Sequence, residues 1–266
     1  MAGRCCTTAA ATRSSSVDAH IVSFLDLSRE TRREILDDPA IDPVDRERSL
    51  RDVERSNVLF GGRRAVMLAL RPLFDEIRNE ARSIDPRSRA AASLLDVGTG
   101  RADLPWRARE IARRRGLALR TIAIDGAFSL VAAARHRVND AACADAIALP
   151  LADRSVDFVL CSQLLHHFDR DRGLALIAEL DRVARRRVII SDLRRSWIAA
   201  AGFTLAATIL RFHPITRHDG RISVLRGFTE AELGGMVVSA TGVQPAIRRR
   251  LGFRLTASWT PAAAAA

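Results

Sequence analysis

The stretch Leu94–Gly100 constrains the fold more than any other part of the chain. A short apolar run ends in Asp96, and a Gly-x-Gly turn from Gly98 to Gly100 follows at once. This pattern is typical of a buried strand that ends in a tight loop, where glycine tolerates a positive φ and lets the backbone approach a nucleotide-like ligand. A Gly-x-Gly turn alone is a weak signal, so the order of the motifs that follow it decides the interpretation.

Further acidic residues follow the next apolar runs. Thr121–Asp125 ends in an acid, an Asp145–Ala146 loop follows, and the apolar run 156–161 leads into Ser162–Gln163. We predict strands near 93–97, 119–124, 141–144, 156–161 and 187–191, with helices near 103–115, 127–137 and 172–184. Such alternation predicts a doubly wound α/β fold with a mostly parallel sheet. Ligands of these sheets bind at the carboxyl ends of the strands, where these acids lie.

This series of motifs resembles the class I S-adenosylmethionine-dependent methyltransferases. The resemblance covers residues 90–195 well and the C-terminal part more loosely. It implies a Rossmann-like sheet of seven strands with an N-terminal helical segment and a C-terminal antiparallel hairpin, here 246–251 and 253–259. It also implies S-adenosyl-L-methionine as the cofactor and methyl transfer as the reaction.

The resemblance implies a set of cofactor-binding residues, all after predicted strands: Asp96, Gly98, Thr99, Gly100, Asp125, Gly126, Asp145, Ala146, Ser162 and Gln163. Asp125 is expected to accept hydrogen bonds from both ribose hydroxyls, because a carboxylate offers two acceptor oxygens; a helix N-cap is the alternative. Asp96 is expected to accept from the cofactor's ammonium, and Asp145 from its adenine. Upstream, Arg64 is a hypothesis for the partner of the cofactor's carboxylate, with a plain helix–turn–helix as the alternative.

A nicotinamide-binding Rossmann protein is the nearest rival for this pattern. That fingerprint needs a third glycine three residues after the second, for close packing of helix on strand. Asp103 stands at that position, and the Asp145 loop has no role in dinucleotide binding. The sequence therefore favours S-adenosylmethionine over NAD.

Three histidines are candidates for a general base, because imidazole titrates near neutral pH. His166 and His167 are adjacent after the fourth strand, so on a helix at most one would face the methyl group; in the resembling enzymes this pair is partly structural. His218 lies in a predicted polar loop beside Asp219, where a solvated turn ended by Gly220 is the alternative. We expect no metal site, because His213 and His218 lack a third ligand at a known spacing.

The acceptor is expected to be small and hydrophobic: phenolic, polyketide or quinone-like. An apolar helix at 196–211 is predicted where this superfamily inserts its substrate-covering element, followed by a polar loop at 212–227. O-methylation is favoured over C-methylation. The alternatives are an RNA or protein methyltransferase, or a non-catalytic scaffold that binds S-adenosylmethionine; ordinary core packing is the alternative for the apolar helix.

The net charge of +11 favours anionic partners. A nucleic-acid partner is nevertheless disfavoured, because the arginines alternate with acids and aromatic residues make up only 5% of the chain. Weak contact with a membrane surface remains open, as do a monomer and a homodimer. The cysteines have no metal or redox spacing and no signal peptide is evident, so a cytoplasmic enzyme of secondary metabolism is expected.

The chain is expected to divide into four parts: a disordered tail at 1–16, an N-terminal helical cap at 17–85, the S-adenosylmethionine-binding domain at 86–260, and a tail at 261–266. Within the domain, residues 194–228 form the substrate-covering insertion. The cap is predicted to contain helices from near Val17, from Ser28–Thr31, from near Val44, and from Arg63 to Ala81.

Overall fold

Seven strands form one sheet in the order β3-β2-β1-β4-β5-β7-β6. The computed structural model describes residues 28–262 except Pro39, Pro86 and Ser88, so the predicted tail at 1–16 and the helix from Val17 lie outside the described residues. The strands are β1 Ala90–Val97, β2 Leu117–Asp125, β3 Asp140–Cys143, β4 Val156–Ser162, β5 Ala184–Leu193, β6 Ala246–Arg250 and β7 Arg254–Trp259.

The first five strands are parallel, and β7 runs antiparallel to both β5 and β6. The predicted doubly wound, mostly parallel sheet with an antiparallel C-terminal hairpin is therefore confirmed. The helices are α1 Pro43–Leu59, α2 Gly62–Ile84, α3 Asp103–Arg114, α4 Phe128–Ala134, α5 Arg170–Val183, α6 Trp197–Ile209, α7 Pro214–Arg226 and α8 Glu230–Thr241.

Helices cover both faces of the sheet, because successive side chains of a buried strand point to opposite sides. In β1, Leu94 packs into the layer that holds α2 and α3, whereas its neighbour Leu95 packs into the layer that holds α5 and α8. Both leucines are fully buried. The near-continuous apolar runs of the sequence thus correspond to strands with a core on each face.

The turn between α1 and α2 packs directly on the turn of the C-terminal hairpin. Gly252 has a φ of +76°, and a Cβ there would lie 1.9 Å from the carbonyl oxygen of Phe60. Only glycine fits both the backbone conformation and this approach. The contact brings the N-terminal helices over the carboxyl ends of β4 and β5 and the amino end of β7.

The segment at Ser28–Thr31 does not start a helix, contrary to the sequence prediction. Residues 28–34 are irregular, and only a short 3-10 turn follows at Ile35–Asp37. Glu30 accepts hydrogen bonds from the N–H groups of Thr31 and Arg32, and the side chain of Arg29 donates to distant carbonyls, including that of His166. Side-chain hydrogen bonds, and not helical backbone hydrogen bonds, therefore fix this segment to the rest of the domain.

The predicted polar loop at 212–227 is also wrong, because most of it is helix α7. Pro214 occupies the first turn of α7, where the missing N–H costs nothing. Gly220 lies inside this helix, where a Cβ would lie 2.2 Å from the Phe203 ring. Its role is to let α6 pack closely on α7, and it does not end a turn.

None of the described helices is long and apolar enough to cross a membrane.

Candidate active site

The glycine loop after β1 is held against the end of β2. The N–H groups of Gly98 and Thr99 both donate to the carbonyl of Ile124, at 2.8 and 3.1 Å. Gly98 has a φ of +70°, and a Cβ there would lie 2.7 Å from the Leu164 side chain. The loop therefore presents bare backbone at the carboxyl edge of the sheet.

Asp96 is a buried acid with an unused oxygen. Its Oδ2 accepts from the Thr99 hydroxyl at 2.8 Å, whereas Oδ1 has no hydrogen-bond partner in the part of the chain that the structure describes. Burial raises the pKa of Asp96 to about 8, and repulsion from Asp103 and Asp125 adds to this effect. An unsatisfied carboxylate oxygen in this position would be satisfied by a cationic ligand group.

Asp125 joins two loops at the end of β2. Its Oδ2 accepts from the N–H of Gly100 and its Oδ1 from the N–H of Ala127, both at 3.0 Å. The helix-capping alternative is thus partly realised, but each oxygen keeps a second lone pair. Burial raises the pKa of Asp125, and those backbone hydrogen bonds oppose the rise.

Asp125 lines a pocket of about 560 Å³ that we call the strand-end pocket. Its lining residues come from four successive strand ends: Gly98, Ile124, Asp125, Gly126, Cys143, Ala144, Asp145, Ala146, Leu164, Phe168 and Arg172. The pocket fits S-adenosylmethionine: Asp125 is available for a ribose diol, and Asp145 with Ala146 for the base. Asp96, outside this lining set, would accept the ammonium.

Arg64 does not join this group. It lies in a separate groove with Arg249, Arg250 and Leu251 of the hairpin. Arg63 faces the domain instead, and its guanidinium lies 3.2 Å from Asp103 at the start of α3. Adjacent helical residues point about 100° apart, so only one of the two arginines faces the domain.

A second, mostly apolar cavity of about 400 Å³ lies beside the strand-end pocket. We call it the apolar cavity. Its lining side chains come from the irregular N-terminal segment, α1, α6, α7 and the hairpin, and they include Leu36, Val53, Phe60, Leu193, Ile198, Phe203, Val224 and Phe253. Gln163 lines this cavity whereas its neighbour Leu164 lines the strand-end pocket, so the two spaces meet at the end of β4.

Gln163 has a φ of +53°, which is uncommon for a residue other than glycine. Its Oε1 accepts from Arg254 at 2.6 Å, and its Nε2 donates to Asn57 of α1. Ser162, just before it, has a buried hydroxyl without a partner among the described residues. The strained backbone directs a fixed amide into the wall between the two spaces.

Glu34, His166 and His167 form the polar end of the apolar cavity. The Nδ1 of His166 lies 2.6 Å from Asp192, and its Nε2 lies 3.6 Å from Glu34. Burial alone would lower the pKa of His166, but these two carboxylates outweigh it and raise the pKa to about 9. His166 is therefore an imidazolium at neutral pH.

His167 is the more accessible of the two histidines. Its Nε2 lies 3.9 Å from Glu34 and its Nδ1 lies 3.3 Å from Asp37. Glu34 also accepts from the Ser223 hydroxyl at 2.7 Å. Burial opposes the ionisation of Glu34, but the hydrogen bond and the positive charge of His166, together with the hydrogen bond from Ser223, lower its pKa to about 2.

His218 is not brought to the apolar cavity. Its ring is exposed and bonds to Asp219 at 2.9 Å, while Asp219 lines the cavity wall. Asp219 also accepts from the N–H groups of Ile35 and Leu36, at 2.8 and 2.9 Å. Because α7 is a helix, its consecutive residues face different sides, and the acid rather than the histidine points inward.

Sequence reasoning missed three site residues, Glu34, Asp192 and Arg254, and considered Asp219 only as the neighbour of His218. Asp192 is the penultimate residue of β5, so the strand-end rule that identified Asp125 could have found it. Glu34 belongs to an irregular segment and Arg254 starts a strand. Neither position carries a periodic or motif signal.

Among residues 28–262, with the gaps given above, Glu34, His166 and His167 place three ligand atoms within 4.8 Å of one another. Such a set could hold a divalent cation. The ligand atoms already have protein neighbours, however: Glu34 accepts from Ser223, and Asp192 and Glu34 flank the protonated ring of His166. A metal ion would have to displace that proton.

Residues 95–191 match the family described as "Methyltransferase domain". Among solved structures, the chain is similar to a SAM-dependent methyltransferase from Aquifex aeolicus, with 16% identity over 71% of this chain and 98% of that one and a TM-score of 0.49. It is also similar to magnesium protoporphyrin IX methyltransferase from Synechocystis, with 16% identity over 85% and 90% of the chains and a TM-score of 0.47. No curated protein sequence matches the chain.

The family match spans the glycine loop, Asp125, the Asp145 loop and β4. The chain therefore contains a methyltransferase domain. This match confirms the methyltransferase class of enzyme and the S-adenosylmethionine cofactor predicted from the sequence.

Proposed function

We propose that this enzyme transfers the methyl group of S-adenosylmethionine to a hydroxyl oxygen of a small hydrophobic acceptor, of the phenolic, polyketide or quinone-like class. The apolar cavity beside the strand-end pocket carries this proposal. Its volume of about 400 Å³ suits a small molecule. A polymer such as RNA or a protein would have to insert a single group into a cavity whose walls include Phe60, Phe203 and Phe253.

The polar end of the cavity supports transfer to oxygen. The cofactor supplies an electrophilic methyl group, so the protein has to hold an acceptor oxygen in line and take up its proton. His166 is unsuited to that task, because it is already protonated at neutral pH. We assign the proton to His167.

Two neighbours would assist His167 as a base. Asp37 beside Nδ1 favours the tautomer that leaves Nε2 free to accept a proton, and the nearby Glu34 would stabilise the imidazolium that forms. The positive charge on His166 in turn keeps Glu34 ionised. The apolar walls exclude water from this reaction.

The first experiment is a methyl-transfer assay with naphthols, alkylphenols and hydroquinones as acceptors. Mass spectrometry identifies methylated products, and NMR distinguishes a methyl on oxygen from one on carbon. We expect O-methylated products, and a His167→Asn variant should lose on the order of a hundredfold or more in kcat. Its affinity for S-adenosylhomocysteine should stay within twofold of the wild type.

His218→Asn is the matched control, because this exposed histidine lies outside the cavity, and it should keep full activity. Methylation of ring carbon would replace the proposed reaction with C-methylation. Turnover of RNA or protein but of none of these small acceptors would refute the proposal. Equal loss of activity in both histidine variants would refute the role of His167.

A further inference from the structure

Arg254 is a buried cation in the wall of the apolar cavity. It stands at the first position of β7, and only 4% of its surface is exposed. Its Nη1 donates to Oε1 of Gln163 at 2.6 Å. Its Nε is buried and has no acceptor within the described residues.

No carboxylate forms an ion pair with Arg254 in the described part of the chain. Asp192 is the acid that acts on it electrostatically, but the oxygens of Asp192 already accept from His166 at 2.6 Å and from the Leu193 N–H at 2.7 Å. Burying a charge without a paired counterion is unfavourable. A ligand that carries a negative charge would remove this penalty.

Six other arginines in the described part of the chain also have a buried Nε without an acceptor, but Arg254 combines this with near-complete burial and the lack of an ion pair. Arg226 donates to three backbone carbonyls, those of His166, His167 and Arg32. Arg195, whose side chain is 4% exposed, lies 2.6 Å from Glu232. Arg254 thus keeps N–H donors without an acceptor at a position that lines the apolar cavity.

We propose that Arg254 binds a carboxylate on the acceptor, so that the preferred substrate is a hydroxylated aromatic or polyketide acid. This inference rests on the proposed function and specifies its substrate class. A guanidinium offers two parallel N–H donors to a carboxylate. Gln163 occupies Nη1 of the guanidinium, whereas Nη2 and Nε have no acceptor among the described residues.

The cofactor's own carboxylate is the competing source of this anion. Arg254 lines the apolar cavity and is not among the residues of the strand-end pocket. In the sheet, β7 is separated from β1, which carries the glycine loop, by β4 and β5. These placements favour the acceptor as the source.

The test compares matched ligands by calorimetry in the presence of saturating S-adenosylhomocysteine. The probes are hydroxynaphthoic acids and their carboxamides, which differ in charge and little in size. We expect the wild type to bind the acids at least tenfold more tightly than the carboxamides. Arg254→Gln should remove that preference, while Arg254→Lys should retain part of it.

Arg248→Gln is the control, because Arg248 is an exposed arginine of the same hairpin and its loss changes the net charge equally. It should keep the preference for acids. Thermal unfolding shows whether each variant folds. If Arg254→Gln does not fold, the preference for acids is measured in Arg254→Lys instead.

Three results would overturn the proposal: no preference for acids in the wild type, an unchanged preference in Arg254→Gln, or equal loss in the Arg248 control. A loss of S-adenosylhomocysteine affinity in Arg254→Gln would instead assign the guanidinium to the cofactor. Because binding is measured without turnover, these results stand even if no methyl transfer is seen. Failure of the proposed function is thus separate from failure of this inference.

Discussion

Affinity for S-adenosylmethionine should rise with pH, because Asp96 must be ionised to accept the cofactor's ammonium. Its pKa of about 8 means that the unliganded protein holds a proton there at neutral pH. Below pH 8, each unit of acidification should weaken binding nearly tenfold, or about 1.4 kcal/mol. From about pH 5.5 to 7.5 the dissociation constant should therefore fall roughly 80-fold.

Calorimetric titration over that range measures the effect, and buffers of different ionisation enthalpy report the proton released on binding. The range ends below pH 8 because the ligand's own α-amino group titrates there. Asp96→Asn should bind more weakly and show a nearly flat profile. Asp145→Asn, an exposed acid of the strand-end pocket, should keep the slope.

A flat profile in the wild type would refute the protonated state of Asp96. The same slope in Asp96→Asn would place the titrating group elsewhere. Either result would contradict the assignment of the unused Asp96 oxygen as the acceptor for the cofactor's ammonium.

Three further predictions concern the same domain. Asp125→Ala should weaken cofactor binding on the order of a hundredfold while thermal unfolding stays cooperative; unchanged affinity in calorimetry would remove the ribose role. His166 has a raised pKa, so its stabilising effect is complete below about pH 6.5 and disappears as the pH passes 9. Denaturant titrations should show the stability difference between wild type and His166→Gln shrinking by up to about 3 kcal/mol over that range; a constant difference would contradict the imidazolium. Dialysis against EDTA should leave the methylation rate unchanged, and loss restored by one divalent cation would instead make Glu34, His166 and His167 a metal site.

The sheet and the placement of the strand-end pocket residues could be predicted because both depend on local patterns. Apolar runs such as 156–161 are long enough for one strand, and parallel strands place their carboxyl ends along one edge. The glycine at position 98 and the acid at 125 each follow such a run. Their grouping in the structure follows from topology alone.

The apolar cavity could not be predicted in the same way. Glu34 reaches the cavity because Asp219, more than a hundred residues later, accepts from the backbone next to it. Helix α7 was missed because it buries polar residues, including Thr216 and Asp219, which conceal its apolar face. The place of Gly220 inside a helix could not be predicted, because its contact with the ring of Phe203 cannot be foreseen from local sequence.

The two halves of the site are encoded in different parts of the gene. The family match at 95–191 contains most of the strand-end pocket and both histidines, whereas Glu34 and Phe60 precede it and Phe203 and Arg254 follow it. With the apolar cavity as the proposed acceptor site, mutations in the flanking segments would remodel acceptor choice without disturbing the binding of the methyl donor. In evolution, paralogues that share the central domain can diverge in specificity, so similarity within that domain alone does not transfer a substrate from one enzyme to another.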